Sequence, residues 1–201
     1  MIGWLYDFAG RRVEKGELGE RRHDLVGDLE GDVLEVGAGT GLNLPHYERA
    51  NRVVAVEPDP SMAGRLRKRA PEAAVPVEFV AGTAETLPFD DESFATAVVT
   101  FVLCSVEDPQ VALAEVRRVL EPGGRLVLLE HVRGEGRLAR WQDRFTPLHR
   151  KVAGNCNLNR RTKDEVAAAG FDVADLRPIR IPGSHPLVRS GLQGVAIKTS
   201  S

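Results

Sequence analysis

Cysteine is scarce: Cys104 and Cys156 are the only two in 201 residues, 52 positions apart. Two such residues exclude a disulfide framework. With no CxxC pair they also exclude a dithiol redox couple or a thiolate metal site of that spacing. A reducing, cytoplasmic compartment is the compatible expectation. Excess charge of either sign is missing as well, since 27 Lys and Arg stand against 29 Asp and Glu for a net charge of -2. That balance lacks the broad basic stripe of a nucleic-acid binder, and no nucleic-acid partner is expected. The short runs Arg65–Arg69 and Asn159–Arg161 read as solvated helix or loop faces. No apolar run approaches the ~18 residues of a spanning helix, so no transmembrane segment is expected. Met1–Asp7 carries neither a basic start nor a long apolar stretch. His46, His149 and His185 fall at no metal-ligand spacing, and no metal is expected. Repeats and low-complexity segments are absent too.

Apolar residues make up 42% of the chain and charged residues 28%, an ordinary balance for one globular domain. A chain of this length buries about 70% of its unfolded surface. Short apolar runs alternate with helical patterns. Val33–Val36, Arg52–Glu57, Val77–Ala81, Phe94–Phe101 and Arg125–Glu130 read as strands, with late strands at Phe171–Arg180 and Gly194–Lys198. Asp59-Pro60 and Asp108-Pro109 supply caps and first-turn prolines for helices. Thr162–Glu165 has the form of a capping box, and Gly170 is placed to end that helix. Such alternation predicts a parallel sheet covered on both faces, with ligands bound beyond the strands' carboxyl ends.

The first of those ends is rich in glycine. Glu35-Val36-Gly37-Ala38-Gly39-Thr40-Gly41 follows a strand and runs into Leu42-Asn43-Leu44, a helix start by its pattern. Glycines there let the chain turn sharply and a ligand approach the main chain. Twenty positions after Gly37, Glu57 closes the second strand, where a carboxylate can accept from both ribose hydroxyls of an adenosine. Dinucleotide sites require a third small residue where this chain has Leu42. An acid at Glu35 sits badly beside a pyrophosphate but well beside an ammonium or sulfonium group. The pattern therefore favours S-adenosylmethionine. A nicotinamide-dependent oxidoreductase and a non-catalytic adenosyl-binding module remain the readings from other classes.

With these residues the chain resembles the class I S-adenosylmethionine-dependent methyltransferases. Val33–Gly41 is similar to the family's first motif and Val54–Asp59 to its ribose-binding strand. Gly82–Phe89 resembles the segment near the adenine amino group, and Leu120–Leu126 the turn into the fifth strand. The resemblance implies a doubly wound, mostly parallel seven-stranded α/β sheet in a single methyltransferase domain. Residues 1–29 would form a helical cap, 30–131 the cofactor-binding core, 132–161 a substrate-side insertion, and 162–201 the last helix and strands. It implies S-adenosylmethionine as cofactor and a small-molecule methyl acceptor. Glu35, Gly37, Ala38, Gly39, Gly41 and Asn43 would surround the methionine portion, with Glu57 on the ribose. Pro58 and Met62 would pack near the adenine, Thr83, Ala84 and Glu85 at its edge, and Thr100 and Phe101 on the other wall.

A narrower resemblance follows Glu130-His131-Val132, Trp141-Gln142-Asp143, Gly154–Arg160 and Gly194-Val195-Ala196 to the thiol methyltransferase-like group. It suggests a small thiol as acceptor. A lipid amine and a quinol are the alternatives, since lipid N-methyltransferases share the run at Leu44–Tyr47. This chain departs from the group in lacking an apolar N-terminal segment of its membrane-associated members, and in carrying Ala95 where relatives often have Asp. Trp4, Tyr6, Phe8, Trp141 and Phe145 would line the acceptor pocket with Asn155 and Cys156, or serve as plain core. His131 would act as a base or orient the acceptor, or else is a packed histidine bonded to backbone. Cys104 reads as a small buried residue and Cys156 as a loop-fixing one.

Overall fold

The computed structural model describes residues 16–199. Helix α1 (Glu17–Val26) precedes strand β1 (Gly31–Val36), followed by β2 (Ala50–Val56), α2 (Pro60–Arg69), β3 (Val77–Val80) and β4 (Phe94–Thr100). Then come α3 (Pro109–Val119), β5 (Leu120–His131), α4 (Gly136–Val152), α5 (Thr162–Ala168), β6 (Phe171–Asp172), β7 (Arg177–Arg180) and β8 (Ser190–Lys198). The sheet order is β3-β2-β1-β4-β5-β8-β6, with β7 also paired to β8. The first five strands run parallel, and β8 lies antiparallel to β5.

Side chains alternate between the two faces of each strand, and this period divides the core in two. Leu34, Val36, Val54, Val56, Ala97 and Val99 pack with Ala112, Leu113 and Val116 of α3 on one face. Val33, Val53, Ala55, Val98 and Val127 pack with Val26 of α1 and Leu66 of α2 on the other. Burial on both faces explains why these strands read as nearly continuous apolar runs. The Asp-Pro starts form as expected. Asp59 accepts from the backbone N–H of Ser61 at 2.7 Å and of Met62 at 3.3 Å, and Asp108 from Gln110 at 2.9 Å and Val111 at 3.3 Å.

Three local expectations need correction. The pattern after the glycine loop does not open an α-helix but a 3-10 turn, Leu44–His46. Pro45 lacks an N–H for a continuing helix, and Tyr47 turns extended at ψ 118°. Thr162 is not the cap of a capping box. It is the first helical residue, its hydroxyl has no hydrogen-bond partner among the described residues, and Arg161 at the cap position makes no side-chain capping bond. The run Phe171–Arg180 is not one strand but two, so the sheet holds eight strands rather than seven. Both short strands pair along one edge of β8. Between them the chain leaves the ladder, and the Asp175 backbone lies against Gly194, at φ 136°, where a side chain would stand.

The strand order reverses between β1 and β4. Val36 sits beside Val56 of β2 and Val99 of β4. This register brings Gly37, Glu57 and Thr100 to one end of the sheet. Thr100 is opposite Leu129 of β5, which adds Glu130 and His131 to the same end.

Candidate active site

Gly37, Gly39 and Gly41 take left-handed φ of 66°, 59° and 78°. At Gly37 a Cβ would come within 2.5 Å of a Val102 methyl. At Gly39 it would meet nothing nearer than the Gly37 carbonyl at 3.9 Å. The missing side chain of Gly37 thus serves packing, while that of Gly39 leaves open space beside the loop. Ala38 is buried, and its N–H donates to the Val56 carbonyl at 2.9 Å. Arg69 clamps the loop from outside, donating to the Thr40 carbonyl at 2.5 Å and its hydroxyl at 3.2 Å. The run Arg65–Arg69 is therefore not simply a solvated face, and Arg67 lies 4.1 Å over the Phe79 ring.

Glu57 is 5% exposed. Its carboxylate accepts from Gly39 N–H at 2.8 Å and Asp59 N–H at 2.9 Å. Burial raises its pKa, and the two backbone bonds oppose that rise. An ionised carboxylate has about four acceptor positions, so acceptor capacity remains for a pair of hydroxyls. Pro58 is exposed and Met62 half-buried beside it. Thr83 and Thr86 form a bridge, Ala84 is buried, and Glu85 accepts from Glu107 N–H at 3.1 Å. The ion pair Arg118–Glu115, at 2.8 Å, holds this segment through Leu87 and Phe89.

Glu35 is 1% exposed and lies in a closed polar cluster. It accepts from Asn43 Nδ2 at 2.9 Å and from the Tyr47 hydroxyl at 3.0 Å. Asn43 Nδ2 also reaches the Thr100 hydroxyl at 3.1 Å, while Arg22 Nη1 donates to Asn43 Oδ1 at 2.7 Å and Thr100 Oγ1 at 3.3 Å. The Arg22 guanidinium sits 5.5 Å from the Phe101 ring centre. Burial pushes the Glu35 carboxyl up to about 7, against the pull of Tyr47, Asn43 and Arg22. Arg22 and Tyr47 are functional candidates that sequence reasoning passes over.

Glu130, seen in sequence only as part of a motif, has a structural role that the sequence does not reveal. Completely buried, it accepts from the N–H groups of Val102, Leu103 and Cys104 at 2.7, 3.0 and 3.2 Å. It thereby shapes the turn after β4, where Phe101 adopts φ 57°. His131 follows, its ring 4.6 Å from that of Phe101. Nδ1 lies 2.7 Å from the Val188 carbonyl. Because a carbonyl only accepts, Nδ1 carries the proton and Nε2 is left as an acceptor. Burial lowers the ring's pKa to about 4.

The acceptor-side candidates divide. Trp4, Tyr6 and Phe8 lie outside the described residues. Trp141 is 53% exposed and stacks on Phe145 at 5.4 Å. Asn155, at φ 66°, donates to the Ser105 carbonyl at 2.8 Å. Cys156 and Cys104 are both buried free thiols, and Asn157 ties the two segments by donating to the Cys104 carbonyl. A cleft of about 720 Å³ opens between α4 and α5, lined by Arg133, Asp143, Arg160 and Glu165 among others. It includes none of the glycine loop, Glu57 or His131, and Arg133 is already paired with Asp143. The cleft is thus separate from the strand ends that bear the glycine loop, Glu57 and His131.

A doubly wound sheet with a glycine turn at its switch point and an acid on the neighbouring strand is the arrangement that binds a nucleoside cofactor. Residues 34–128 match the methyltransferase domain family. The chain is 36% identical over 171 residues to the human thiol S-methyltransferase TMT1A, covering 83% of this chain and 70% of that protein. It is 36% identical over 138 residues to phosphatidylethanolamine N-methyltransferase of Cereibacter sphaeroides, covering 67% and 68%. The fold matches the crystal structure of an S-adenosylmethionine-dependent methyltransferase from Thermotoga maritima, with a TM-score of 0.66 and 25% identity over 94% of this chain and 99% of that one. The chain belongs to the class I S-adenosylmethionine-dependent methyltransferases. Its cofactor is S-adenosylmethionine.

Proposed function

We propose that this enzyme methylates a small thiol. The observation that carries the reading is His131, a neutral histidine whose bond to Val188 leaves Nε2 as an acceptor at the end of β5. The likeness to a thiol S-methyltransferase over 83% of the chain supports it. An ammonium substrate would call for an available carboxylate, whereas nearby Glu130 is occupied by three backbone N–H groups.

The residues present fit the cofactor. The open space beside Gly39 admits close approach to the main chain, and Glu57 would hold the ribose hydroxyls with its remaining acceptor capacity. Glu35, Gly37, Gly39, Gly41 and Asn43 would face the methionine portion, where Arg22 adds a cation suited to a carboxylate. Pro58, Met62 and the Thr83–Glu85 segment would meet the adenine, and Thr100 and Phe101 the opposite side. S-adenosylmethionine supplies a methyl already activated on a sulfonium, so the protein's task is chiefly alignment and exclusion of water. Orientation of this kind contributes up to about 7–11 kcal/mol in favourable cases.

His131 accepts a hydrogen bond from the thiol and takes its proton as the new carbon–sulfur bond forms. A base of pKa about 4 does not ionise a free thiol of pKa ~8.5. It suffices for the far more acidic proton on a sulfur that has begun to bond carbon. Because the ring is neutral well above its pKa, activity should not fall through neutral pH on its account.

S-adenosylhomocysteine formation with and without a small alkyl thiol tests the reading. Wild type should give thiol-dependent product. Glu57→Ala should weaken cofactor binding, and His131→Asn should lower kcat about 100-fold, within the usual range for a proton acceptor, with cofactor affinity kept. Turnover of phosphatidylethanolamine or a quinol without thiol turnover would overturn the acceptor while leaving the family intact.

A further inference from the structure

Among the described residues, helix α4 is bound to the fold by one face. Ala139, Gln142 and Thr146 are buried. Gln142 accepts from Gly134 N–H at 2.7 Å and donates to the Leu187 carbonyl at 2.9 Å. The helix's orientation is therefore set from within. Its exposed surface is unusual for a soluble enzyme. Trp141 and Leu148 are 53% and 63% exposed, and with Phe145 they follow the spacing of one helical stripe. Phe145 lies flat against Trp141 at an interplanar angle of 8°, so the apolar strip is continuous.

Beside that strip run Arg137, Arg140, Arg144 and Lys151, all exposed and again at helical spacing. None of the four pairs with an acid among the described residues. The one acid on the helix, Asp143, is held by both Nε and Nη2 of Arg133 at 3.0 and 2.8 Å. A chain of net charge -2 has thus gathered cations along one exposed apolar ridge.

We propose that α4 is a docking helix that seats the enzyme on a membrane surface containing anionic lipid. An indole, a phenyl ring and a leucine bordered by arginines are the composition of a helix lying in the interface, with its rings at headgroup level. Nucleic acid would neutralise the cations but leave Trp141 and Leu148 in water. A second copy packed ridge to ridge would bring like charges together. A lipid surface satisfies both stripes at once. Since α4 begins five residues after His131, docking brings the acceptor side of the sheet to the bilayer.

Sedimentation with phosphatidylcholine vesicles, with and without about 30% phosphatidylglycerol, tests this, because anionic lipid attracts each exposed cation by about fivefold in partition. Wild type should bind the anionic vesicles, bind neutral ones far less, and release as salt rises. Arg137→Gln, Arg140→Gln and Arg144→Gln combined should cut binding by about 100-fold. Leu148→Glu should abolish it. Each variant should keep the wild-type thermal midpoint, which separates lost docking from lost folding. With Trp4→Phe, Trp141 becomes the sole indole, and its emission should shift to the blue on anionic vesicles. Equal binding by wild type and variants, or an unmoved Trp141 spectrum, would overturn the proposal. So would lipid-free self-association that Leu148→Glu removes while wild type ignores vesicles.

Discussion

Glu35 illustrates how one residue can carry two energetic messages. Its carboxyl is raised from 4.5 to about 7 by burial, with Arg22, Asn43, Tyr47 and Thr100 closing the cluster around it. The folded protein therefore keeps a proton that the unfolded chain has lost between those values. Stability associated with this group is complete below 4.5 and is lost as pH rises through 7, by about 3 kcal/mol at most. Buried Glu130, also raised, acts in the same sense. Glu35→Gln should remove much of the decline in urea midpoint between about pH 5 and about pH 8. An unchanged decline would mean that Glu35 is ionised throughout. Glu35 and Glu57 could be picked out from sequence because each stands at a fixed offset from the glycines. Arg22 could not. It is one of several charges on a short amphipathic helix, and only the tertiary fold turns it toward Asn43. Arg69 was hidden likewise inside a run of basic residues, where composition says nothing about the one side chain that reaches back to Thr40.

At the scale of elements, the glycine loop separates two kinds of necessity. Gly37→Ala combines a left-handed backbone with a collision against Val102. It should cost about 3 kcal/mol and lower the thermal midpoint by about 6–12 °C. Gly39→Ala meets no neighbour within ordinary contact except its own loop. It should cost only about 1 kcal/mol for the backbone, yet weaken S-adenosylhomocysteine binding at least ~10-fold, because the added methyl fills space beside the cofactor loop. Equal effects of the two substitutions on stability would contradict this division. The loop's strands were legible because their apolar runs are buried on both faces and the Asp-Pro starts are local signals. The corrections at the loop and at the sheet edge have two separate causes. Pro45 ends the helix that the pattern predicts there, and the edge partners of β8 are divided by a contact between Asp175 and Gly194, which lie far apart in sequence.

For the molecule as a whole, a nucleoside cofactor bridging the ends of β1, β2 and β4 should couple binding to global stability. S-adenosylhomocysteine at about 100 times its Kd should raise the thermal midpoint by about 5–10 °C, and a nicotinamide dinucleotide at equal concentration should not. A shift with the dinucleotide alone would reverse the cofactor preference drawn from Leu42 and Glu35. Fold class was readable at this scale because alternation of strands and helices restricts topology severely. The surface of α4 was not, since Trp141 and Phe145 have the spacing of a buried stripe and only the packing of Gln142 and Thr146 turns them outward.

The place of β8 also bears on how the protein is made. Among the described strands it comes last in chain order, yet it lies inside the sheet, between β5 and the short pair β6 and β7. During synthesis β5 emerges first, and its Arg125–His131 edge waits for partners that are translated later. An open apolar edge of that kind is a template for pairing with other chains. A nascent chain is thus exposed to misassembly in the interval between the emergence of β5 and that of β8, and pairing with β8 closes it.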